Sequence, residues 1–232
     1  MGNPDITTMT RFKQFLKECE VRKFTKADYT LPSMPKDGKF MLDGMAQRNA
    51  SKNSAIALKA HYTETLELTS HNSASEPWYS DRGILFIVWN GDLTIDGDLL
   101  DDDFGMKPLL IIKGNLTVRN WLRGGMDTFV GGNVKASGFI IGHYNDSALF
   151  VGGDLTAAGY IPRAKPYKDL PDIVPHQIVG KVDAKKFDNL NSTNETVKAA
   201  FVEEALVKDG EDIYIDERAI FERSDKGLPV WK

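Results

Sequence analysis

Cysteine is all but missing from this chain. Cys19 stands alone among 232 residues, which excludes an intramolecular disulfide framework and fits a reducing compartment. No apolar run approaches the roughly eighteen residues that a membrane span requires, and the N-terminal stretch holds no apolar core of a secretory signal. Neither sign of charge prevails: 29 Lys and Arg stand against 33 Asp and Glu, a formal net charge of −4. A nucleic-acid or anionic-membrane partner, which would want a basic surplus, is therefore not expected. The four histidines, His61, His71, His143 and His176, fall at no metal-binding spacing. A phosphate-cradling glycine loop leading into a helix is missing, as is a nucleophile elbow. These absences lead us to expect a cytoplasmic protein with no cofactor, no metal and no catalytic residue, either a monomer or a small homo-oligomer.

Glycine, by contrast, is concentrated. Of 20 glycines, 14 lie between Gly83 and Gly159, and five glycines align one repeated pattern: Gly91, Gly114, Gly132, Gly153 and Gly180. A polar residue follows each, respectively Asp92, Asn115, Asn133, Asp154 and Lys181. Positions four and two before and two and four after are apolar in eighteen of twenty cases, as in Leu110, Ile112, Leu116 and Val118. The exceptions are Thr128 and His176. The unit is about twenty residues long with loop insertions, the mark of a solenoid. Alternation with period two turns one face of each short strand inward. Gly and Asn at the corners suit left-handed or otherwise crowded backbone.

The expected fold is mainly β, a right-handed parallel β-helix of four to five coils, the hand following the usual crossover preference. Three regions follow from the composition. Residues 1–82 supply an N-terminal helix, carrying Met9, Phe12, Phe15 and Leu16, and strands that seal the first coil; 30–54 reads as irregular. Residues 83–190 form the solenoid. Residues 191–232 form a C-terminal cap of two helices, one opened by Ser192 and Glu195 and running through Leu206 to a stop at Asp209-Gly210, the other begun by Asp216. Open solenoid ends template further strands, so both flanks are expected to cap them.

Chemistry is thinly marked. The loop Gly142-His143-Tyr144-Asn145-Asp146 is either a structural turn or a ligand contact. The aspartates Asp92, Asp96, Asp98, Asp101, Asp102 and Asp103 are either a solvated face or oxygen ligands for calcium. Two apolar rows point away from the expected core. One is Val88, Ile111, Phe129 and Phe150, ending at Gln177; the other, at the second corner, is Trp121, Phe139 and Tyr160 with Phe187. Something must cover such ladders: either the flanking helices, or a protein or glycan partner. The candidate partner-binding residues are therefore Phe129, Phe150, Trp121, Phe139, Tyr160, His143, Tyr144, Asn145 and Asp146.

The repeats Gly114-Asn115-Leu116-Thr117-Val118, Gly132-Asn133-Val134 and Gly153-Asp154-Leu155-Thr156-Ala157 resemble those of bactofilins, bacterial polymer-forming β-helix proteins, over residues 84–184. The irregular spacings and helical flanks depart from that family, and such flanks would obstruct end-to-end polymerisation. The whole pattern is also similar to bacterial solenoid proteins that accompany polymorphic toxins. This likeness implies an immunity protein, whose partner is a cognate toxin. The function expected is non-enzymatic protein binding; the alternatives are a polymer-forming scaffold and a carbohydrate-binding or polysaccharide-active β-helix.

Overall fold

The computed structural model describes residues 14–49, 51–68, 83–101, 108–143, 147–164, 176–189 and 192–232. A strand β1 (Cys19–Lys23) is followed by two helices, α1 (Lys26–Tyr29) and α2 (Lys36–Arg48). Six coils then stack. The first contains β2 (Asn53–Ala57), β3 (His61–Tyr62) and β4 (Leu66–Glu67), and the second β5 (Ile84–Trp89), β6 (Leu93–Ile95) and β7 (Leu99–Asp101). The third has β8 (Leu109–Ile112), β9 (Leu116–Val118) and β10 (Trp121–Arg123), and the fourth β11 (Thr128–Val130), β12 (Val134–Ala136) and β13 (Phe139–Gly142). In the fifth, β14 (Leu149–Val151) leads to β15 (Leu155–Ile161), which serves two walls; the sixth has β16 (His176–Ile178) and β17 (Val182–Lys186).

Every pairing between coils is parallel. One sheet runs β1-β2-β5-β8-β11-β14-β16, and the other two walls join through β15, with β17 added on its outer side. The chain is thus a mainly β solenoid. Residues 53–67 form its first coil, well before Gly83, so the boundary expected at 83 falls inside the stack and the coils number six rather than four or five.

The corner glycines have a steric cause. Asp92 Oδ1 accepts the Asn115 N–H at 2.7 Å, Asn115 Oδ1 accepts that of Asn133 at 2.8 Å, Asn133 Oδ1 that of Asp154 at 2.8 Å, and Asp154 Oδ1 that of Lys181 at 2.8 Å. This ladder of side-chain oxygens lies where a Cβ would project from Gly114, Gly132, Gly153 and Gly180. None of these glycines has a positive φ; close approach rather than left-handed backbone selects them. Gly91 has open space instead, because the first coil carries Leu58-Lys59 at this corner and no oxygen ladder. That coil therefore lacks the sequence marker.

The core inside the coils gathers Ile87, Trp89, Leu110, Ile112, Leu116, Val134, Leu149 and Leu155 with Trp121 and Tyr160. Phe15 and Leu16 close its N-terminal end, Phe15 stacking on Trp89 at 5.6 Å between centroids. Met9 and Phe12 lie outside the described residues. Where irregular chain is expected, α2 stands. Gly38 and Gly44 lower its intrinsic helix propensity, and tertiary packing of Leu42 and Ala46 supplies the compensation.

The C-terminal region also departs from expectation. Helix α3 (Asn194–Ala200), capped by Thr193 rather than Ser192, ends at Phe201. A hairpin of β18 (Leu206–Asp209) and β19 (Asp212–Ile215) follows, turning at Gly210 with φ +61°. The Asp-Gly pair read as a helix stop is a hairpin turn. Helix α4 (Glu217–Asp225) is capped by Asp216 as expected, and Trp231 folds back to bridge Phe201. This region lies on the flank of the third wall, over Leu122, Phe139, Ile141 and Ile161. It does not close the C-terminal end.

Helix α2 provides a test of packing against propensity. A Cβ on Gly38 would stand 2.6 Å from the Phe150 ring, whereas one on Gly44 would meet only the flexible end of Arg48 at 3.5 Å. Gly38→Ala is expected to destabilise by about 1–3 kcal/mol from overpacking, while Gly44→Ala stabilises by up to about 1 kcal/mol. Thermal denaturation of the two variants side by side checks the opposite signs.

Candidate functional site

The outward row on the first wall forms as the glycine alignment requires. Ile56, Val88, Ile111, Phe129, Phe150 and Gln177 are successive register partners, and the Phe129 and Phe150 rings stack at 5.2 Å. Yet Phe129 and Phe150 are fully buried, covered by Leu42, Ala46, Met34, Met41 and Met45 of α2 and its approach. Their assignment as partner-binding residues is corrected: the chain's own helix occupies that surface. Where the apolar row stops, Gln177 Nε2 donates to Asp37 Oδ2 at 2.7 Å, fastening the start of α2 to the last coil.

The second row does not exist as aligned. Trp121 pairs with Leu99 and Ile140, and Tyr160 with Ile140, while Phe139 stands opposite Gly159. One extra residue at this corner in the second and fourth coils shifts the register. A one-residue slip reverses which face a side chain takes. Trp121 and Tyr160 consequently point into the core, and Phe139 points outward under Trp231 at 5.7 Å. All three are buried, so none of them offers a partner surface.

His143 Nδ1 donates to Glu217 Oε1 at 2.6 Å, tying the loop after β13 to the start of α4. Tyr144, Asn145 and Asp146 lie outside the described residues. The aspartates hold structure. Asp92 opens the corner ladder, Asp96 meets His61 at 3.0 Å, and Asp98 takes Arg119 at 2.9 and 3.0 Å. Asp101 Oδ2 accepts the Met126 N–H; Asp102 and Asp103 lie outside the described residues. Among the described residues no group of three or more His, Cys, Asp or Glu side chains is placed to hold a metal ion, and no helix is long and apolar enough to cross a membrane. Burial pushes the Cys19 thiol up to about 12, with Glu18 adding to the shift, so it stays an unreactive thiol.

A polar cluster unmarked in the sequence sits inside the wall where β10 and β13 turn toward the next coil. Arg123, almost wholly buried, donates to Ala148 O at 2.8 Å and leaves its Nε without a hydrogen-bond partner. Burial lowers its pKa below the usual arginine value, while Asp101 and Asp127 favour the charged form. Tyr160 Oη lies 2.9 Å from His176 Nδ1, and His176 Nε2 lies 3.1 Å from Ser147 O. These partners assign the Nε2–H tautomer, with the tyrosine hydroxyl donating to Nδ1. Burial holds the Tyr160 hydroxyl at about 12, so it keeps that proton. His176 as a residue is only half-buried, but both its ring nitrogens are engaged within the wall.

Burial, then Arg123, hold the His176 pKa well below 6.5. The unfolded chain therefore binds a proton that the folded chain refuses as pH falls below about 6.5. Stability from this group is complete above that value and is lost toward the depressed folded pKa, at up to about 1.4 kcal/mol per pH unit. Denaturant unfolding at pH 7.5 and pH 5 should show His176→Gln losing less stability on acidification than the parent chain.

The last coil is the exposed part of the solenoid. Its strands β16 and β17 pair with β14 and β15 on one side, and no described strand lies on the other. Val179 and Val182 are 56% and 42% exposed. Lys181, Asp183, Lys185 and Lys186 are exposed around them, Lys185 Nζ lying 4.6 Å from the centre of the Trp231 ring.

No protein-family model, curated protein or solved structure matches the chain. Of the candidate partner-binding residues, His143 is the one described side chain that is not buried, at 14% exposure. The edge of the sixth coil is signalled only by the weakness of its repeat, with His176 where three of the other four copies carry an apolar residue and Lys181 where all four carry Asp or Asn.

Proposed function

We propose that the chain is a non-enzymatic protein-binding solenoid of the bacterial cytoplasm, a right-handed parallel β-helix. Its most concrete role is that of an immunity protein that neutralises a toxin. One observation carries the binding reading: both lateral apolar faces are covered by the chain's own C-terminal region and helix, while among the described residues no strand pairs with the edge of the sixth coil. An unpaired strand edge with exposed apolar side chains is a protein-recognition surface. Asp92, Asp98, His143 and Glu217, which could have served catalysis, are held instead in the corner ladder and in ion pairs. The hand rests on the crossover preference of parallel strands, and the toxin-neutralising role on the resemblance of the repeats. Co-expression with the product of the adjacent gene tests it. A stable complex and relief of toxicity are expected; unrelieved toxicity with no complex would remove the immunity role.

A polymer-forming scaffold is the second reading, favoured by opposite charge at the two ends. Glu18, Glu64 and Glu67, with Lys59 as the one cation among them, line a hollow of about 580 Å³ beside the first coil, at the opposite end of the stack from the lysines of the last. The corner ladder speaks against it. Lys59 stands two residues before His61 as Asp92 stands two before Thr94, its register partner, so lysine ends the corner row at both terminal coils. Head-to-tail stacking would set Lys181 against Lys59 with no oxygen to accept the next N–H. Light scattering across a wide concentration range should return one constant small mass.

A further inference from the structure

The edge of the sixth coil carries an excess of positive charge. Among the described residues β17 pairs only with β15, so alternate backbone groups along Val182–Lys186 point away from the stack and invite an extended chain through main-chain hydrogen bonds. Lys181, Lys185 and Lys186 stand against the single carboxylate of Asp183. Trp231 holds the Lys185 ammonium in place over its ring, which lessens the ordering cost of engaging it. Beside the lysines, Val179 and Val182 offer exposed apolar contacts, and Ile178 and Ala184, half-buried at the top of the core, remain to be covered.

A second copy is a poor occupant. Edge against edge brings three lysines onto three lysines, and like charges across a strand pair are destabilising; head to tail brings Lys181 onto Lys59. A strand carrying carboxylates meets neither obstacle. Resting on the protein-binding reading above, we propose that the sixth coil is a docking edge for an extended acidic segment of a partner protein. The segment adds as the next strand beside β17, its carboxylates among Lys181, Lys185 and Lys186 and its alternate apolar side chains over Val179 and Val182.

The test uses the full chain and three labelled peptides: alternating Glu and Val, alternating Lys and Val, and the Glu-Val sequence N-methylated at every second residue. Fluorescence anisotropy should show the acidic peptide binding at least about tenfold more tightly than the other two, with affinity falling as salt is raised. Lys181→Glu with Lys186→Glu, at exposed positions, should abolish that binding and leave the circular dichroism spectrum unchanged. Equal binding of acidic and basic peptides overturns the proposal, as does retained binding of the N-methylated one. If the adjacent gene product still binds the doubly substituted chain, the partner reading stands and this docking edge falls. Concentration-dependent self-assembly that the double substitution suppresses would make the occupant a second copy, and also overturns it.

Discussion

Arg123→Ala is expected to cost about 3–5 kcal/mol of unfolding free energy, the loss that follows removal of one partner from a buried charge cluster. The guanidinium donates to Ala148 O at 2.8 Å, reaches toward Ser147 O at 3.5 Å, and lies over Trp121 at 5.4 Å. It is also the buried cation whose field acts on Tyr160 and His176. Alanine leaves an unfilled space beside Trp121, a carbonyl without its donor, and the carboxylates of Asp101 and Asp127 without that positive charge. Each of these carboxylates accepts one backbone N–H, from Met126 and Ala148 respectively, so they keep some compensation. Arg123→Lys should recover only part of the loss, because a point charge cannot reproduce the planar fork. Denaturant unfolding followed by circular dichroism reads the effect; a loss below about 1 kcal/mol, typical of a surface ion pair, would show that the cluster is not a fixed part of the wall.

The solenoid itself was legible because its cause is local and repeated. An Asx oxygen under each next coil demands a glycine above it, so Gly114, Gly132, Gly153 and Gly180 mark the coils in the sequence. Where that cause stops, so does the signal: the first coil has Leu58-Lys59 at the corner, and by sequence its strands look like a seal on the solenoid rather than a coil of it. The second corner misled because Trp121, Phe139 and Tyr160 look equivalent by residue type, whereas one inserted residue puts Phe139 on the opposite face. Helix α2 was invisible because its reason for existing lies elsewhere in the chain. Gly38 is a poor helix former, yet it is what lets the helix approach Phe150. Long-range packing of this kind leaves no periodic trace, and neither does Arg123, a lone charge whose partners come from four other coils.

Candidate sites shared this limit. An apolar row can be found from spacing, but what covers it depends on tertiary contacts made by a distant helix. The bare edge is the reverse case: it is defined by the coil that does not follow, and the sequence records it only as a failing repeat at His176, Gln177 and Lys181.

Phe150→Ala separates a covered ladder from a binding surface. The ring is fully buried, stacks on Phe129 at 5.2 Å, and fills the space over Gly38. Truncation should cost about 3–5 kcal/mol, the usual loss for a buried phenylalanine, and Phe150→Glu more, since the carboxylate would be placed among Leu42, Ile111 and Phe129 with no partner. Hydrogen exchange should show where the loss falls. The amides of α2 are expected to exchange first, because the helix is held chiefly by this face and its two glycines give it little stability of its own. Ile111→Val, which removes one methyl group from the same ladder, should cost only about 0.5–1.5 kcal/mol. A Phe150→Ala chain as stable as the parent, with α2 still protected, would mean that the helix does not rest on the ladder, and the row would again be open to a partner.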